Sequence, residues 1–181
     1  MVSPVHRLGV LCTVLMVACA DGQGPSSTMP IQGELGDTFR DFEAGDWIVS
    51  VPANWKDQPE SGLPYQVHRF FGPFGEELLV LWGADQPTVA EEIPEGVGSI
   101  RGPLNQVTIS PAIESAGPAG FNQTAFTLVG TDPAKSESPV AQTVAVLRKA
   151  DEPFLALILE VPGDQPPMRQ LEELTAMLEH R

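Results

Sequence analysis

The stretch that decides the fold is residues 154–161, Phe154-Leu155-Ala156-Leu157-Ile158-Leu159-Glu160-Val161. Seven of its eight side chains are apolar. A strand with one wet face alternates apolar and polar residues, whereas a run that is apolar at nearly every position needs cover on both faces. The run has the length of a strand and is short for a buried helix. It therefore predicts a central strand in a sheet. Working outward, Ala141 to Lys149 and Phe121 to Gly130 read as further strands. The polar loops Thr131 to Pro139 and Lys149 to Pro153 are short enough to join antiparallel neighbours. Gln106 to Ser110 is a weaker strand, with room to extend past Pro111 to Glu114. Gln66 to Phe71 and Glu77 to Trp82 flank Gly72-Pro73-Phe74-Gly75, which fits a hairpin connection. Trp47 to Val51 is a compact β-rich run closed by Pro52.

Helical signals are fewer. Thr88 to Ile93 predicts a short helix, with Thr88 as N-cap and Glu91 completing a capping box, and Pro94 limits its length. At the C-terminus Met168, Leu171, Leu174, Thr175 and Leu178 fall at three- and four-residue spacing and predict an amphipathic helix. Glu172 and Glu173 toward its start, with His180 and Arg181 at its end, suit the helix dipole. Residues 53–65 contain Pro59, Gly62 and Pro64 and predict no regular element. The expectation is one α+β domain over residues 36–181, a mostly antiparallel β-sheet with helical cover and a C-terminal amphipathic helix.

Composition narrows the function classes. The chain has 181 residues, 10 Lys and Arg against 24 Asp and Glu, and a formal net charge of -14. So few basic groups cannot neutralise many phosphates, which argues against nucleic acid and against electrostatic docking on anionic lipid. Two cysteines, Cys12 and Cys19, cannot build a disulfide scaffold. Both precede residue 36, so thiol catalysis, a CxxC redox site and a cysteine-ligated zinc are excluded from the domain.

The first residues read as an address. Leu8 to Ala18, LGVLCTVLMVA, is an uncharged apolar run preceded by Arg7. Its length suits a signal-peptide core and is too short to span a bilayer. Leu15-Met16-Val17-Ala18-Cys19 resembles the lipobox of bacterial lipoproteins. That resemblance implies a signal peptide over residues 1–18 and an acylated, N-terminal Cys19. It also implies a protein anchored by lipid in the bacterial envelope, its domain facing periplasm or exterior. The residues alone also allow an ordinary secretory signal that happens to hold two cysteines. Residues 19–35 contain ADGQGPSSTMP, too polar and Gly/Pro-rich to fold, and read as a tether.

A second resemblance covers roughly residues 45–180. Trp47-Ile48-Val49-Ser50-Val51-Pro52-Ala53-Asn54-Trp55 is similar to the strand, proline, turn, tryptophan entry of PsbP-like domains, whose αβα sandwich is shared with a Ran-binding nuclear import factor. The order of hairpin, middle helix, three long strands and terminal helix agrees, with Pro94 as a departure. The resemblance implies a PsbP-like sandwich and a protein that binds or assembles rather than catalyses. It carries over no functional residue.

Few residues point to chemistry. His68 and His180 are the only histidines after the leader, and three- or four-ligand zinc sites usually draw on more. No GxSxG elbow is present, so a hydrolase-like enzyme would need a site assembled by the fold around His68. Gly96-Val97-Gly98-Ser99-Ile100-Arg101-Gly102 lacks the glycine spacing and flanking elements of a dinucleotide loop. Should it border a pocket, Arg101 is the residue suited to grip an anion. Asp37, Asp41, Glu43 and Asp46 lack the spacing of a calcium loop and read as a solvated entry segment. Neither a metal nor a cofactor is expected. Phe71 and Phe74, at the proposed hairpin, are candidates with Arg101 for a contact patch, because exposed apolar patches mark contact sites. The sequence therefore reads as a non-catalytic envelope module with a membrane anchor and an envelope-protein partner. The alternative is an envelope enzyme built around His68.

Overall fold

The computed structural model describes residue 35 and residues 38–60, 65–84 and 104–181. Its strands, in chain order, are β1 Phe39–Ala44, β2 Trp47–Pro52, β3 Lys56–Glu60, β4 Gln66–Phe71, β5 Glu77–Gly83, β6 Asn105–Ile109, β7 Ile113–Ala116, β8 Asn122–Asp132, β9 Ser138–Arg148, β10 Phe154–Pro162 and β11 Glu179–His180. One α-helix, α1, spans Met168–Ala176.

The strands form two antiparallel sheets. The large one runs β3-β4-β5-β10-β9-β8-β6, and β7 continues the β6 edge by also pairing with β8. The small one runs β1-β2-β11. The apolar run 154–161 lies near the middle of the large sheet, between β5 and β9. Its alternate side chains serve two cores. Leu155, Leu157 and Leu159 pack with Phe70, Leu78, Val80, Ala145 and Leu147, under Trp47, Val49 and Val51 of β2 and Leu171 and Leu174 of α1. Phe154, Ala156 and Ile158 pack on the other face with Leu79, Leu81, Val144, Val146 and Phe126. Burying a side chain of this size contributes about 1.5–3 kcal/mol, so a strand that buries both rows anchors the sheet.

The expected α+β architecture with helical cover is corrected. Among the described residues α1 is the one α-helix, only nine residues long, and the chain is mostly antiparallel β-sheet. A single helix is not a helical layer. The small sheet β1-β2-β11 takes the remaining cover over the first face. The proposed helix at Thr88 to Ile93 lies outside the described residues.

Three strands escape the sequence reading, each for a physical reason. β1 alternates correctly, but its inward row is Arg40, Phe42 and Ala44 and its outward row begins with Phe39, so charge and apolarity are mixed on both sides. β3, Lys-Asp-Gln-Pro-Glu, is nearly all exposed, and as an edge strand it tolerates Pro59. The C-terminal helix ends at Ala176, and Glu179 and His180 pair with Ile48 and Trp47 of β2. Arg181 N–H donates to the Asp46 carbonyl at 2.9 Å, and the ring of Trp47 meets those of Phe121 and His180 edge-on at 4.7 Å. His180 and Arg181 thus complete a sheet instead of a helix end.

Candidate contact groove

Among the described residues nothing covers the first face of the large sheet to its edge. α1 sits over β9, and beyond it the outward row of β8 is half-exposed at Gln123 and Ala125. This leaves a groove of about 140 Å³. Ile113 and Ser115 of β7 form its outer wall, Gln123, Ala125 and Thr143 its floor, and Met168, Leu171, Glu172 and Thr175 of α1 its inner wall. Two sequence features make the groove. Small residues at 115 and 125 leave a hollow where neighbours would fill the sheet surface. Pro166 and Pro167 precede α1, and Met168 N–H donates to the Pro166 carbonyl, fixing where the helix starts.

The floor holds an unusual group. Thr143 is fully buried, and its hydroxyl has no hydrogen-bond partner. Such a group costs free energy, because burial removes its water without replacing it. The outer wall is unusual in the opposite sense, with Ile113 62% exposed.

The β6–β7 edge beside the groove is interrupted. Its register on β8 shifts between Asn105 and Thr108. Across Ser110-Pro111-Ala112 it shifts again, so Ile109 pairs with Leu128 whereas Ile113 pairs with Ala125. One step of register moves a side chain to the opposite face. Ile109 and Val107 therefore project on the second face and Ile113 on the first. Gly130 permits the irregularity, since a Cβ there would come within 2.9 Å of the Asn105 carbonyl oxygen. Ser110 bridges the break, its N–H donating to the Thr127 carbonyl and its hydroxyl accepting from Thr127 N–H.

The residues singled out from the sequence lie elsewhere. Cys19 and Arg101 fall outside the described residues. Phe74 sits at the β4–β5 turn and is 65% exposed. The turn is closed by Gly72 N–H to the Glu76 carbonyl and by the Glu76 carboxylate accepting from Phe74 N–H at 2.9 Å. Phe71 is half-buried and carries the Arg69 guanidinium 4.8 Å above its ring. It serves as a stacking platform, which leaves Phe74 as a single exposed ring.

His68 on β4 is wedged between Phe42 and Phe70, with ring centroids 4.5 and 4.9 Å away. Its Nε2 is 3.2 Å from Asp57 Oδ2 on β3, and Arg40 of β1 lies 3.3 Å from the other Asp57 oxygen. The hydrogen bond with His68 holds the Asp57 carboxyl below its ordinary value, with the Arg40 charge adding to it. The His–Asp pair links neighbouring strands of the large sheet, and Arg40 ties Asp57 to the small one. A general base would act through its other ring nitrogen, which must face a substrate, and this ring is packed between Phe42 and Phe70.

The sequence reading also missed a polar band at one end of the second core. Arg69 donates from Nε to Glu77 and from Nη1 to Glu60, both at 2.9 Å. Burial opposes the charge on Arg69, but the hydrogen bonds and charges of these two carboxylates prevail and raise its pKa. Glu77 stands opposite Glu160 in the β5–β10 register. Glu160, only 1% exposed, accepts from Gln142 Nε2 at 2.7 Å and lies 3.7 Å from Lys135 Nζ. Adjacent acids can share a proton in catalysis, yet here each carboxylate is tied to its own cation or amide, as in a structural cross-link. Among the described residues no group of three or more His, Cys, Asp and Glu side chains is placed to hold a metal ion. Nor is any helix among them long and apolar enough to cross a membrane.

No family model matches the chain and no curated protein matches it. Among solved structures, a Pseudomonas aeruginosa protein of unknown function is similar at 10% identity and a TM-score of 0.35, over 76% of this chain and 88% of that one. Likeness at that level leaves function to be argued from the chain's own residues.

Proposed function

We propose that the protein is a non-catalytic binding module of the bacterial envelope, anchored by lipid at Cys19, whose contact site is the groove between α1 and β7. One observation carries this reading: an apolar hollow on the first face of the large sheet whose outer wall, Ile113, stands in solvent. The size of the hollow selects the kind of ligand. Small-molecule pockets run to about 300–1,000 Å³, whereas about 140 Å³ suits one inserted side chain of a protein partner. The acidic balance of the chain argues against nucleic acid and anionic lipid as the ligand on electrostatic grounds. The anchor rests on the resemblance of residues 15–19 to a lipobox. Two or three acyl chains hold a protein stably where one does not.

Two measurements test this. Metabolic labelling with a fatty acid is expected to mark the full chain and to be lost in Cys19→Ser, together with membrane sedimentation; an unlabelled, freely soluble wild type overturns the anchor. A photo-crosslinking residue replacing Met168, in the groove wall, is expected to give adducts in membranes that Ile113→Lys abolishes. The same residue replacing Arg169, 87% exposed at its side chain, is expected to give none. Equal yields from both positions overturn the groove as the contact site.

A further inference from the structure

We propose that β7 is a strand-addition site, at which an extended basic segment of a partner protein pairs with the free edge and passes one apolar side chain over Ser115 into the groove. The inference rests on the groove reading above and names its occupant. Among the described residues β6 and β7 pair only with β8, so their other side carries backbone N–H and C=O groups without a strand. Natural edges are guarded by lysines, prolines, bulges or short length. Here the bulge and the proline stand on the β6 side, and β7 is guarded by its length of four residues alone. The register shift between Asn105 and Thr108, the left-handed Gln106 at φ 52° and Pro111 disrupt that half. β7 keeps an unbroken register with β8 from Ile113 to Ala116, and its four residues are all exposed. From Asn105 to Ala116 the edge contains one charge, Glu114, and no Lys or Arg.

Geometry links this edge to the groove. A strand added to β7 lies about 4.8 Å beyond it, with every second side chain rising on the groove side. The side chain facing Ser115 meets the lowest point of the outer wall, because Ser115 is small and Ile113 is bulky. It can therefore lean across to Ala125 and Met168. Main-chain pairing would supply affinity and the hollow specificity, the division of labour typical of strand addition.

Charge decides between occupants. Glu114 on the edge and Glu172 on the groove wall are both exposed, and the chain carries -14 overall. A second copy would bring the same acidic surface to the same edge, whereas a segment with lysine or arginine flanking its apolar residue complements it.

The test uses the purified full chain and a fluorescent seven-residue peptide of alternating lysine and isoleucine, followed by anisotropy. Three matched probes accompany it: the same peptide with alternate backbone nitrogens methylated on one edge, its partner methylated on the other edge, and an alternating glutamate–isoleucine peptide. The proposal expects saturable binding of the unmodified basic peptide. It expects at least tenfold weakening by methylation of one edge but not the other, by the acidic sequence and by Ile113→Lys, and no change in Phe74→Lys. Binding indifferent to methylation on either edge, but lost in Ile113→Lys, overturns strand pairing while leaving the groove as a contact site. Absence of binding overturns the proposal, and crosslinking from Met168 then decides the groove reading separately. A concentration-dependent dimer of the chain alone that Ile113→Lys dissolves, seen by sedimentation, makes a second copy the occupant and also overturns it.

Discussion

At the scale of single residues, Thr143 is the most informative position. Its hydroxyl has no partner in a fully buried place. Thr143→Val keeps the shape and removes the orphan, so stability should rise, by about 1 kcal/mol, since an unsatisfied buried polar group costs about 1–3 kcal/mol. A urea midpoint that falls instead would show that the hydroxyl is satisfied. Gln142 predicts the opposite sign. Gln142→Leu deprives the buried Glu160 carboxylate of its 2.7 Å donor and should cost about 1–3 kcal/mol or more, read by the same titration. Asp57 gives the pH dependence. Its carboxyl titrates below the ordinary 3.8 in the folded chain, chiefly through the His68 hydrogen bond. A group with a depressed folded pKa adds stability above its unfolded pKa and loses it as pH falls through the folded one. The stability gap between wild type and Asp57→Asn should therefore be constant at neutral pH and shrink below about pH 4. A gap that widens on acidification contradicts the assignment. Asp57 is solvent-exposed and the gap is screened by salt.

At the scale of elements, β10 carries the fold. Leu157 is fully buried under the small sheet and α1, so Leu157→Ala should destabilise by about 2–5 kcal/mol. The same change at Ile113, 62% exposed, should stay within about 0.5 kcal/mol, and a comparable loss at both would mean that the groove edge is part of the core. β10 was legible in the sequence because both of its rows are apolar, and the β4–β5 hairpin because Gly72 to Gly75 mark its turn. β1 and β3 were not, since Arg40 points inward, Phe39 outward, and Lys56 to Glu60 is polar throughout. The helix stripe continued through Leu178, but the chain leaves the helix after Ala176, since Glu179 and His180 gain backbone partners on β2. That pairing depends on residues more than a hundred positions away and has no local signature. The groove was illegible for the same reason. Its walls come from residues 113–115 and 168–175 and its floor from 123–143, each ordinary in its own segment. The hairpin aromatics were visible locally, yet only the fold reveals Phe71 stacked under Arg69.

At the scale of the whole molecule, among the described residues a small sheet and one helix cover one face of the large sheet incompletely, and the margin they leave coincides with the edge strand β7. With the proposed anchor, that margin makes a tethered acidic domain that meets an extended segment of an envelope protein. Amide hydrogen exchange, comparing the purified chain with the same chain in its native membranes, tests this most directly. The account predicts that Ile113 to Ala116 exchange rapidly when purified and become protected at the membrane, while β10 stays equally protected in both. Unchanged exchange of residues 113–116 between the two states would contradict it.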